Sequence, residues 1–512
     1  MSKQILFIII LFIIATAYYL PIIKAPLSPY DEGVILVGSE RVLKGQVPYK
    51  DFFTPYAPGQ FYTLAAVFKV FGISVLVERI YDIVVKALIS LFIFLIIRLL
   101  SSYKTAIVGW AMSLIWIEYS HFHGYPVYPD ILLTYLSVYF LLLHMKKQKL
   151  YFVIFSSLSI VFAIIFRHDV GGLAAVVIAI VLMFRRIFGV QKSWTPLIAY
   201  IATGVIAMMP VIIYFLFHSD IEAMINDLFL IPLDMVANQQ SLPYPVLSRY
   251  NLPFFVFPAV PLIGVITFFI IKNRDFDDST SFGILLISLV GFVFFNQLWG
   301  RSDTIHLLGV ALTGILLSPI LLYTLSKIFP PNTQSYGLLL MLFIIVFSIT
   351  LSRPITMKIL NPGSYFITVL NPDIERAKYT LITPERKKTI SYIKNNTAKD
   401  EYIYVGVKNH DQFVFNDAII YFLAERNCAT KYHELNPGIN TTLAIQKEMV
   451  DELKDKSVRL IVLVPRSRHE PNQSGIDTGA NLIDNYISMN YELIEKYGFD
   501  EIWMKKSLKK IS

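Results

Sequence analysis

The sequence predicts a polytopic α-helical membrane protein that ends in a small α/β domain. Three observations support this fold class. Of the 512 residues, 55% are hydrophobic and 16% are charged, whereas about a quarter of the residues in an average soluble protein are charged. Apolar runs long enough to cross a bilayer recur through residues 1–352. From residue 353 to residue 512, the composition is that of a soluble domain.

About 11 apolar runs approach the length of about 17–25 residues that a transmembrane helix needs. The predicted spans are 5–23, 75–98, 104–118, 126–144, 150–166, 169–185, 196–217, 252–271, 281–298, 305–323 and 336–352. The run at 104–118 is short, and the two runs beside Arg167 are also compatible with one broken helix. The first run resembles a signal peptide as well, with Lys3 before its apolar core. Its hydrophobic stretch continues through Leu20, which favours a retained helix.

The distribution of basic residues predicts the orientation of the spans. With a cytosolic N-terminus, the short outer loop 119–129 contains no Lys or Arg. The inner loops then hold Arg98, Lys104, Lys146, Lys147, Lys149, Arg185, Arg186, Lys192, Lys272, Arg274 and Lys327. This pattern follows the positive-inside rule. It places the first outer loop (24–74) and the C-terminal domain (353–512) outside the cytosol.

The composition argues against several functional classes. The net charge is +8, but the basic residues lie between apolar runs rather than in one basic domain, so nucleic-acid binding is not indicated. The single cysteine, Cys428, excludes an internal disulfide and a cysteine-based zinc cluster. The sequence contains no Gly-x-x-x-x-Gly-Lys-Ser/Thr loop, which argues against a P-loop ATPase. Any chemistry would therefore take its energy from an activated substrate.

The first outer loop and the C-terminal region both show local order. Apolar residues among the charges of 32–44 predict a short interfacial helix on the membrane surface, and a second apolar segment covers 61–71. In the C-terminal domain, Thr383 and Pro384 predict the start of a helix. Apolar runs at 402–407 and 458–464 predict buried strands with a helix at 441–456 between them. Alternating strands and helices indicate a small α/β domain.

Asp31 and Glu32 are adjacent at the start of the first outer loop. Acidic side chains at a membrane edge indicate a functional site, because they are costly to desolvate. The surrounding motifs are Asp31-Glu32-Gly33, Gly45-Gln46-Val47-Pro48-Tyr49, Pro55-Tyr56-Ala57-Pro58-Gly59 and Glu78-Arg79-Ile80. With these motifs the sequence resembles the GT-C glycosyltransferases, and among them glycosyltransferase family 39, the protein O-mannosyltransferases and lipid A aminoarabinose transferases. The layout is similar over roughly residues 1–325, and the specific motifs over about the first hundred.

The resemblance implies an integral membrane glycosyltransferase, surrounded by membrane lipids. It would move a sugar from a polyprenyl-phosphate-linked donor to a lipid, glycan or protein acceptor on the extracytoplasmic face. Asp31 matches the catalytic base of the family, which takes the acceptor proton opposite the leaving group, with Glu32 as its neighbour. The alternative is a solvated acidic pair or a cap for the helix at 32–44.

Further candidate residues lie at the same membrane face. Asp130 matches a second acidic residue of GT-C enzymes that serves substrate or metal, or else it stabilises the start of a helix. Arg301, with Arg167 or His306 in support, is predicted to bind the lipid phosphate, because guanidinium groups match phosphate oxygens. His168 lies in the same turn as Arg167. The alternative is internal pairing of each arginine with Asp169 or Asp303.

Arg79 belongs to a helical face on which Glu78, Asp82 and Lys86 recur every four residues. This spacing permits ion pairing within the span, and Arg79 is predicted to steady the acidic loop. We interpret this charged face mainly as structural support.

The sequence gives only weak indications of a metal. His121-x-His123 has a spacing at which imidazoles share an ion, although an aromatic, interfacial loop also explains these residues. No cofactor is indicated with certainty, and a divalent metal stays open. Asp275-Phe276-Asp277 resembles the metal motif of nucleotide-sugar transferases, but it falls in a predicted cytosolic loop and is interpreted as a solvated turn.

Two other functional classes compete with the enzyme. A transporter or lipid-linked sugar flippase would show internal repeats and charges near the midplane of the membrane. No repeat is visible, and the charges gather at one membrane face, which favours the enzyme. A non-catalytic assembly or receptor protein would make Asp31 replaceable. The C-terminal domain contains no motif that indicates its role.

Overall fold

The computed structural model describes residues 3–506 apart from 120–121, 235–239, 249–250, 273, 275, 329–361, 465–469 and 471. Three sequence-based predictions fall outside the described residues. These are the span 336–352, the domain boundary at 352/353 and the position of His121.

The described residues between positions 3 and 328 are mainly helical. In chain order they are α1 Lys3–Tyr19, α2 Asp31–Leu43, α3 Gly59–Phe71, α4 Val75–Leu100, α5 Tyr103–Tyr119, α6 Val127–Lys147, α7 Tyr151–Phe166, α8 His168–Ile187, α9 Thr195–His218, α10 Ile221–Ile225, α11 Ile231–Asp234, α12 Leu252–Lys272, α13 Asp278–Gly300 and α14 Leu308–Ile328. A 3-10 helix, Leu20–Lys24, extends α1, and a π-helical turn, Asn226–Leu230, joins α10 to α11.

Each of the first ten predicted spans corresponds to one of these helices. Within the described residues, eight helices are long and apolar enough to cross a membrane, and the chain is an integral membrane protein. The helices α5 and α7 are shorter, at 17 and 16 residues. The predicted number of 11 spans is therefore not confirmed.

Arg167 separates α7 from α8. Its backbone is extended, with φ −145° and ψ 92°, so the helix ends there and a new helix begins at His168. A side chain on Gly171 would place its Cβ 2.6 Å from the backbone nitrogen of Ile164, which shows how closely the two helices approach. The runs beside Arg167 are thus two packed helices that meet at a one-residue turn, and not one broken helix.

Burial differs strongly among the helices. In α4, 67% of the most apolar stretch is buried, whereas the corresponding fraction of α9 is 6%. The buried face of α4 contacts α1, α5, α6 and α14. Hence α4 lies inside the helix bundle, and α9 lies at its periphery, where apolar side chains face lipid.

The helix predicted at 32–44 is present as α2, but its surroundings differ from the prediction. We expected an interfacial helix on the membrane surface, whereas residues 32–40 are all buried. The helix packs between α3 and a helix of the C-terminal domain. The reason is visible in the continuous apolar run from Val34 to Val37, because a helix that is apolar on all sides needs protein around it.

The C-terminal region forms the predicted α/β domain. Its elements are α15 Pro384–Asn396, β1 Tyr402–Val407, α16 Ile419–Ala424, β2 Asn427–Cys428, α17 Leu443–Asp455, β3 Leu460–Val464, α18 Leu482–Asn490, β4 Tyr491–Tyr497 and β5 Asp500–Lys505. The strand order is β2-β1-β3-β5-β4, with β1 parallel to β2 and β3, and β5 antiparallel to its neighbours. The Thr383 hydroxyl accepts a hydrogen bond from the backbone N–H of Arg386, as expected of a helix cap.

The C-terminal domain docks directly on α2. A Cβ on Gly33 would lie 2.6 Å from the backbone nitrogen of Ile419 in α16, so only a glycine permits this approach. At the other end of α2, Arg376 donates to both oxygens of Glu40, at 2.7 and 3.0 Å. Tyr30, just before α2, donates to Glu434 at 2.9 Å. The domain is therefore fixed against the first outer loop.

Candidate functional site

A cavity of about 430 Å³ lies where the first outer loop, the α7–α8 turn, the α13–α14 loop and the C-terminal domain meet. Its volume suits a small ligand. Five of the eight predicted site residues line it: Asp31, Arg167, His168, Arg301 and His306. Aromatic side chains complete much of the wall, including Tyr30, Tyr56, Phe122, Tyr125 and Phe415. The structure thus brings together residues that the sequence separates by up to 275 positions.

Asp31 begins α2 and is partly exposed within this cavity. Burial raises the pKa of Asp31 to about 7, while a hydrogen bond from its own backbone and the charge of Arg301 oppose the rise. A carboxylate with a pKa near neutral pH has the proton affinity that general base catalysis needs. Asp31 therefore lines the cavity with a pKa closer to neutral than that of an ordinary aspartate.

Glu32 has a different environment from its neighbour. Its two oxygens accept hydrogen bonds from Arg79 Nε at 2.5 Å and from Arg79 Nη2 at 2.8 Å. Both side chains are fully buried, and neither lines the cavity. Burial alone would raise the pKa of Glu32, but the Arg79 guanidinium lowers it below its ordinary value. Glu32 is thus held as a buried ion pair, away from any ligand in the cavity.

Arg79 also binds the chain that precedes α2. It donates to the carbonyl oxygen of Ile22 at 2.5 Å and to that of Pro26 at 3.3 Å. The Glu32 carboxylate in turn accepts from the backbone N–H of Ser28 at 3.0 Å. This network joins α4, the end of the first span and the first turn of α2, and so it orients the backbone that bears Asp31.

Arg301 lines the cavity, but its guanidinium already has anionic partners. It donates to both oxygens of Glu470, at 3.0 and 2.7 Å, and through Nε to Asp303 at 3.0 Å. Asp303 also lies 2.7 Å from His306 Nδ1. Burial would raise the pKa of Asp303, but His306 and Arg301 lower it to about 2. The internal pair with Asp303 considered from the sequence is present, together with a second carboxylate that the sequence did not reveal.

Arg167 is paired within its own turn. It donates to the two oxygens of Asp169 at 2.9 and 2.6 Å and to the Tyr125 hydroxyl at 3.2 Å. Its neighbour His168 lines the cavity and packs edge-on against Phe229. Both arginines thus line the cavity while they are already paired with carboxylates.

Two acidic residues of the site come from the C-terminal domain and were not predicted. Glu434 is fully buried, and its Oε1 accepts from the Tyr30 hydroxyl at 2.9 Å and from Asn436 Nδ2 at 3.0 Å. Burial raises the pKa of Glu434 to about 7. Glu470 is the partner of Arg301. Neither residue belongs to a recognisable motif, and only the docking of the domain brings them to the cavity.

Comparisons of sequence find no relative, because no protein-family model and no curated protein matches this chain. Comparisons of structure do find similar folds. The crystal structure of ArnT from Cupriavidus metallidurans bound to undecaprenyl phosphate is 12% identical, with a TM-score of 0.58 over 99% of both chains. The oligosaccharyltransferase of Archaeoglobus fulgidus, tethered to an acceptor peptide, is 12% identical, with a TM-score of 0.51 over 89% of this chain and 69% of that chain. Both structures are GT-C glycosyltransferases.

This chain has the GT-C fold. The predicted resemblance is therefore confirmed at the level of the fold. The agreement with ArnT extends through the C-terminal domain, since the alignment covers nearly the whole of both chains.

Within the GT-C fold, Asp130 lies in the first turn of α6, away from the cavity lining. It is fully buried, and neither carboxylate oxygen has a hydrogen-bond partner among the described residues. It makes no side-chain capping bond, although its position favours interaction with the helix dipole. The structure thus leaves both interpretations of Asp130 as predictions.

The metal interpretation gains no support from the described part of the chain. There, no group of three or more His, Cys, Asp or Glu side chains is arranged to hold an ion. His123 is buried 3.6 Å from Asp82, and His121 lies outside the described residues. In the Asp-x-Asp motif, Asp277 accepts a hydrogen bond from Ser279 N–H as the cap of α13, which fits the structural interpretation of that turn.

Proposed function

We propose that this protein is a membrane glycosyltransferase that moves a sugar from a polyprenyl-phosphate donor to a lipid, glycan or protein acceptor. The observation that supports this function best is the juxtaposition, in one cavity, of Asp31 with Arg167 and Arg301. A carboxylate that titrates near pH 7 suits deprotonation of an acceptor, and guanidinium groups suit a phosphate leaving group. ArnT, which has a similar fold, has been crystallised with undecaprenyl phosphate.

The reaction follows from these groups. The acceptor oxygen or nitrogen attacks the anomeric carbon as Asp31 takes its proton. The bond between this carbon and the phosphate oxygen breaks, and the lipid phosphate leaves with the electron pair. Arg301 and Arg167 stabilise the negative charge of the leaving phosphate. Glu32 and Arg79 act on Asp31 through the backbone that they hold, and, in addition to burial, the Glu32 charge raises the pKa of Asp31.

The walls of the cavity support one common side of the membrane for the first outer loop and the C-terminal domain. The first outer loop and the C-terminal domain both contribute to its wall, so they lie on the same side. The positive-inside pattern of the sequence predicts that this side is extracytoplasmic. The N-terminus would then be cytosolic, and the donor would be used at the outer face.

The experiment that tests the function compares cells with and without the intact gene. Mass spectrometry of their glycolipids, envelope polymers and proteins should reveal one class of molecule that loses a sugar when the protein is absent. Unchanged glycosylation in all three fractions, with the wild-type protein expressed in the membrane, would contradict the proposal.

We expect transfer to increase as the pH rises through about 7. The base must be ionised, and burial raises the pKa of Asp31 to about 7. Below this value, kcat/KM should fall about tenfold for each pH unit, because protonated Asp31 cannot accept the acceptor proton. The measurement is a pH profile of transfer by purified protein in liposomes.

Glu434, the other carboxylate of the cavity wall whose pKa is raised by burial to about 7, provides the control for this profile. If Asp31 is responsible, the Glu434→Gln variant should keep the acidic limb. A limb that disappears in Glu434→Gln, or a rate that does not change between pH 5 and pH 8, would assign the titration to another group.

We also expect Glu470→Gln to strengthen the binding of undecaprenyl phosphate. Glu470 occupies the guanidinium of Arg301 with two hydrogen bonds, so a phosphate has to compete with a resident carboxylate. Ion pairs of this exposure contribute up to about 1 kcal/mol, which corresponds to a Kd lower by up to about fivefold. Binding of labelled undecaprenyl phosphate to the reconstituted protein measures the change.

The matched control is Glu401→Gln. It removes the carboxylate partner of Arg459, which lies on the surface of the C-terminal domain, and should leave the Kd unchanged. Weaker binding in Glu470→Gln would mean that Glu470 supports the phosphate site instead of competing for it. Loss of the effect in the Arg301→Ala/Glu470→Gln double variant would assign the gain to Arg301.

A further inference from the structure

The strongest unexplained group in the cavity is the Glu434 carboxylate. It comes from the C-terminal domain, is fully buried in the protein and lines the cavity wall. Its Oε1 has two donors, Tyr30 and Asn436. Its Oε2 has no hydrogen-bond partner among the described residues. No Lys, Arg or His among the described residues forms an ion pair with Glu434.

The surroundings of Glu434 hold this carboxylate in one orientation. The Tyr30 hydroxyl lies 2.9 Å from Glu434 Oε1 and 2.8 Å from Asn436 Oδ1. Asn436 in turn donates to Glu434 and lies 3.3 Å from Gln240 Nε2, another residue of the cavity wall. The Tyr30 ring packs against Phe415 at 5.4 Å. The carboxylate is thus pre-organised, with one oxygen saturated and one oxygen unused.

An unpaired oxygen on a buried carboxylate destabilises the folded protein. Leaving a buried acceptor without a hydrogen bond costs about 1–3 kcal/mol or more. Native proteins keep few such groups, and each calls for an explanation. A ligand that donates a hydrogen bond to Oε2 would remove the cost. Glu434 contributes to the cavity wall, and because Oε2 exposes almost no surface, a ligand must pack tightly against this wall to reach it.

The position of Tyr30 indicates which part of a ligand reaches Glu434. Tyr30 is bonded to Glu434 and precedes Asp31 in the chain, and the Asp31 and Glu434 carboxylates line the same cavity. In the proposed reaction, the anomeric carbon lies next to Asp31. A donor sugar bound there would therefore present its hydroxyl groups within the cavity whose wall contains Glu434.

We propose that Glu434 Oε2 accepts a hydrogen bond from a hydroxyl group of the donor sugar, and so makes the C-terminal domain part of sugar recognition. This role rests on the proposed function. Hydrogen bonds to ring hydroxyls near the reacting carbon also strengthen in oxocarbenium-like transition states. Glu434 is thus a specificity residue for the sugar and not a ligand of the lipid phosphate.

The test measures binding with and without a sugar on the lipid. The probes are undecaprenyl phosphate itself and a panel of undecaprenyl-phosphate hexoses and pentoses, each titrated against the full chain in liposomes. The wild type should bind at least one sugar-bearing lipid more tightly than undecaprenyl phosphate. Glu434→Gln and Glu434→Asp should each weaken binding of that lipid by about tenfold, which matches loss of a charge-assisted hydrogen bond. Both variants should leave the Kd of undecaprenyl phosphate within about twofold.

The matched control is Glu448→Gln. Glu448 accepts from the Tyr432 hydroxyl in a similar way but lies outside the cavity, so its replacement should change neither Kd. Melting temperatures of all variants show whether they are folded. Equal weakening of both lipids, no effect on either lipid, or a wild type without preference for any sugar-bearing lipid would each overturn the inference.

The outcome separates this inference from the proposed function. A wild type that binds a sugar-bearing lipid through Glu434 but transfers no sugar would contradict only the enzyme. A wild type that transfers sugar with the same KM for the donor in both Glu434 variants would contradict only the role of Glu434.

Discussion

Replacement of Asp31 by asparagine is expected to lower sugar transfer by about 10²- to 10⁴-fold, the usual contribution of a general base. Asparagine preserves the size of the side chain but cannot take the acceptor proton at neutral pH. Asp31 begins α2, and among the described residues no Lys, Arg or His forms an ion pair with it, so its replacement should leave the fold intact. Transfer of labelled sugar from an undecaprenyl-phosphate donor panel by purified protein in liposomes measures the loss.

Two measurements accompany this variant. Asp373→Asn, an exposed carboxylate of the C-terminal region, should keep wild-type activity. Binding of undecaprenyl phosphate to Asp31→Asn should stay within a few-fold of the wild type, because the phosphate is proposed to bind at Arg301 and Arg167. Full activity of Asp31→Asn would remove Asp31 as the base, whereas loss of lipid binding would point to a role in donor binding.

Replacement of Arg79 by methionine should produce the largest loss of stability, about 3–5 kcal/mol, which is the usual cost of breaking a buried ion pair from one side. It would leave the Glu32 carboxylate buried without its cation and remove the donors to Ile22 and Pro26. The first turn of α2 would lose its fixed position, so activity should fall as well. Unfolding of the detergent-purified protein measures the stability.

The double variant Glu32→Gln/Arg79→Met tests whether the uncompensated Glu32 charge causes the loss of stability. It removes both charges together, so it should recover a large part of the lost stability. Recovery of stability with poor activity would show that the network serves mainly to orient Asp31. If Arg79→Met unfolds at the same denaturant concentration as the wild type, the ion pair does not hold the loop.

The helices could be predicted from the sequence because long apolar runs specify them locally. The environment of α2 could not, since the surfaces that bury it include α16, about 380 positions later in the chain. The pattern at 32–44 indicates an apolar helix, but it does not distinguish a lipid surface from a protein surface. The two strands and the cap of α15 were predicted because their signals are also local.

The contrast between local signals and contacts from distant parts of the chain also explains which features of the site could be predicted. The resemblance distinguishes Asp31, as the expected base, from its neighbour Glu32, but it does not show their surroundings. Only the structure shows that Arg79 holds Glu32 in a buried ion pair while Asp31 lines the cavity. Arg301 was predicted from its place at the end of a span, whereas its partner Glu470 comes from a domain without a motif. Glu434 escaped prediction for the same reason.

The docking of the C-terminal domain on α2 has a consequence for the synthesis and folding of the protein. Tyr30 meets Glu434 across 404 positions of the chain, and Glu40 meets Arg376 across 336. Every described span is therefore synthesised before the residues that cover α2 and complete the cavity wall. The cavity wall is therefore complete only after the C-terminal domain has been synthesised and has docked on α2.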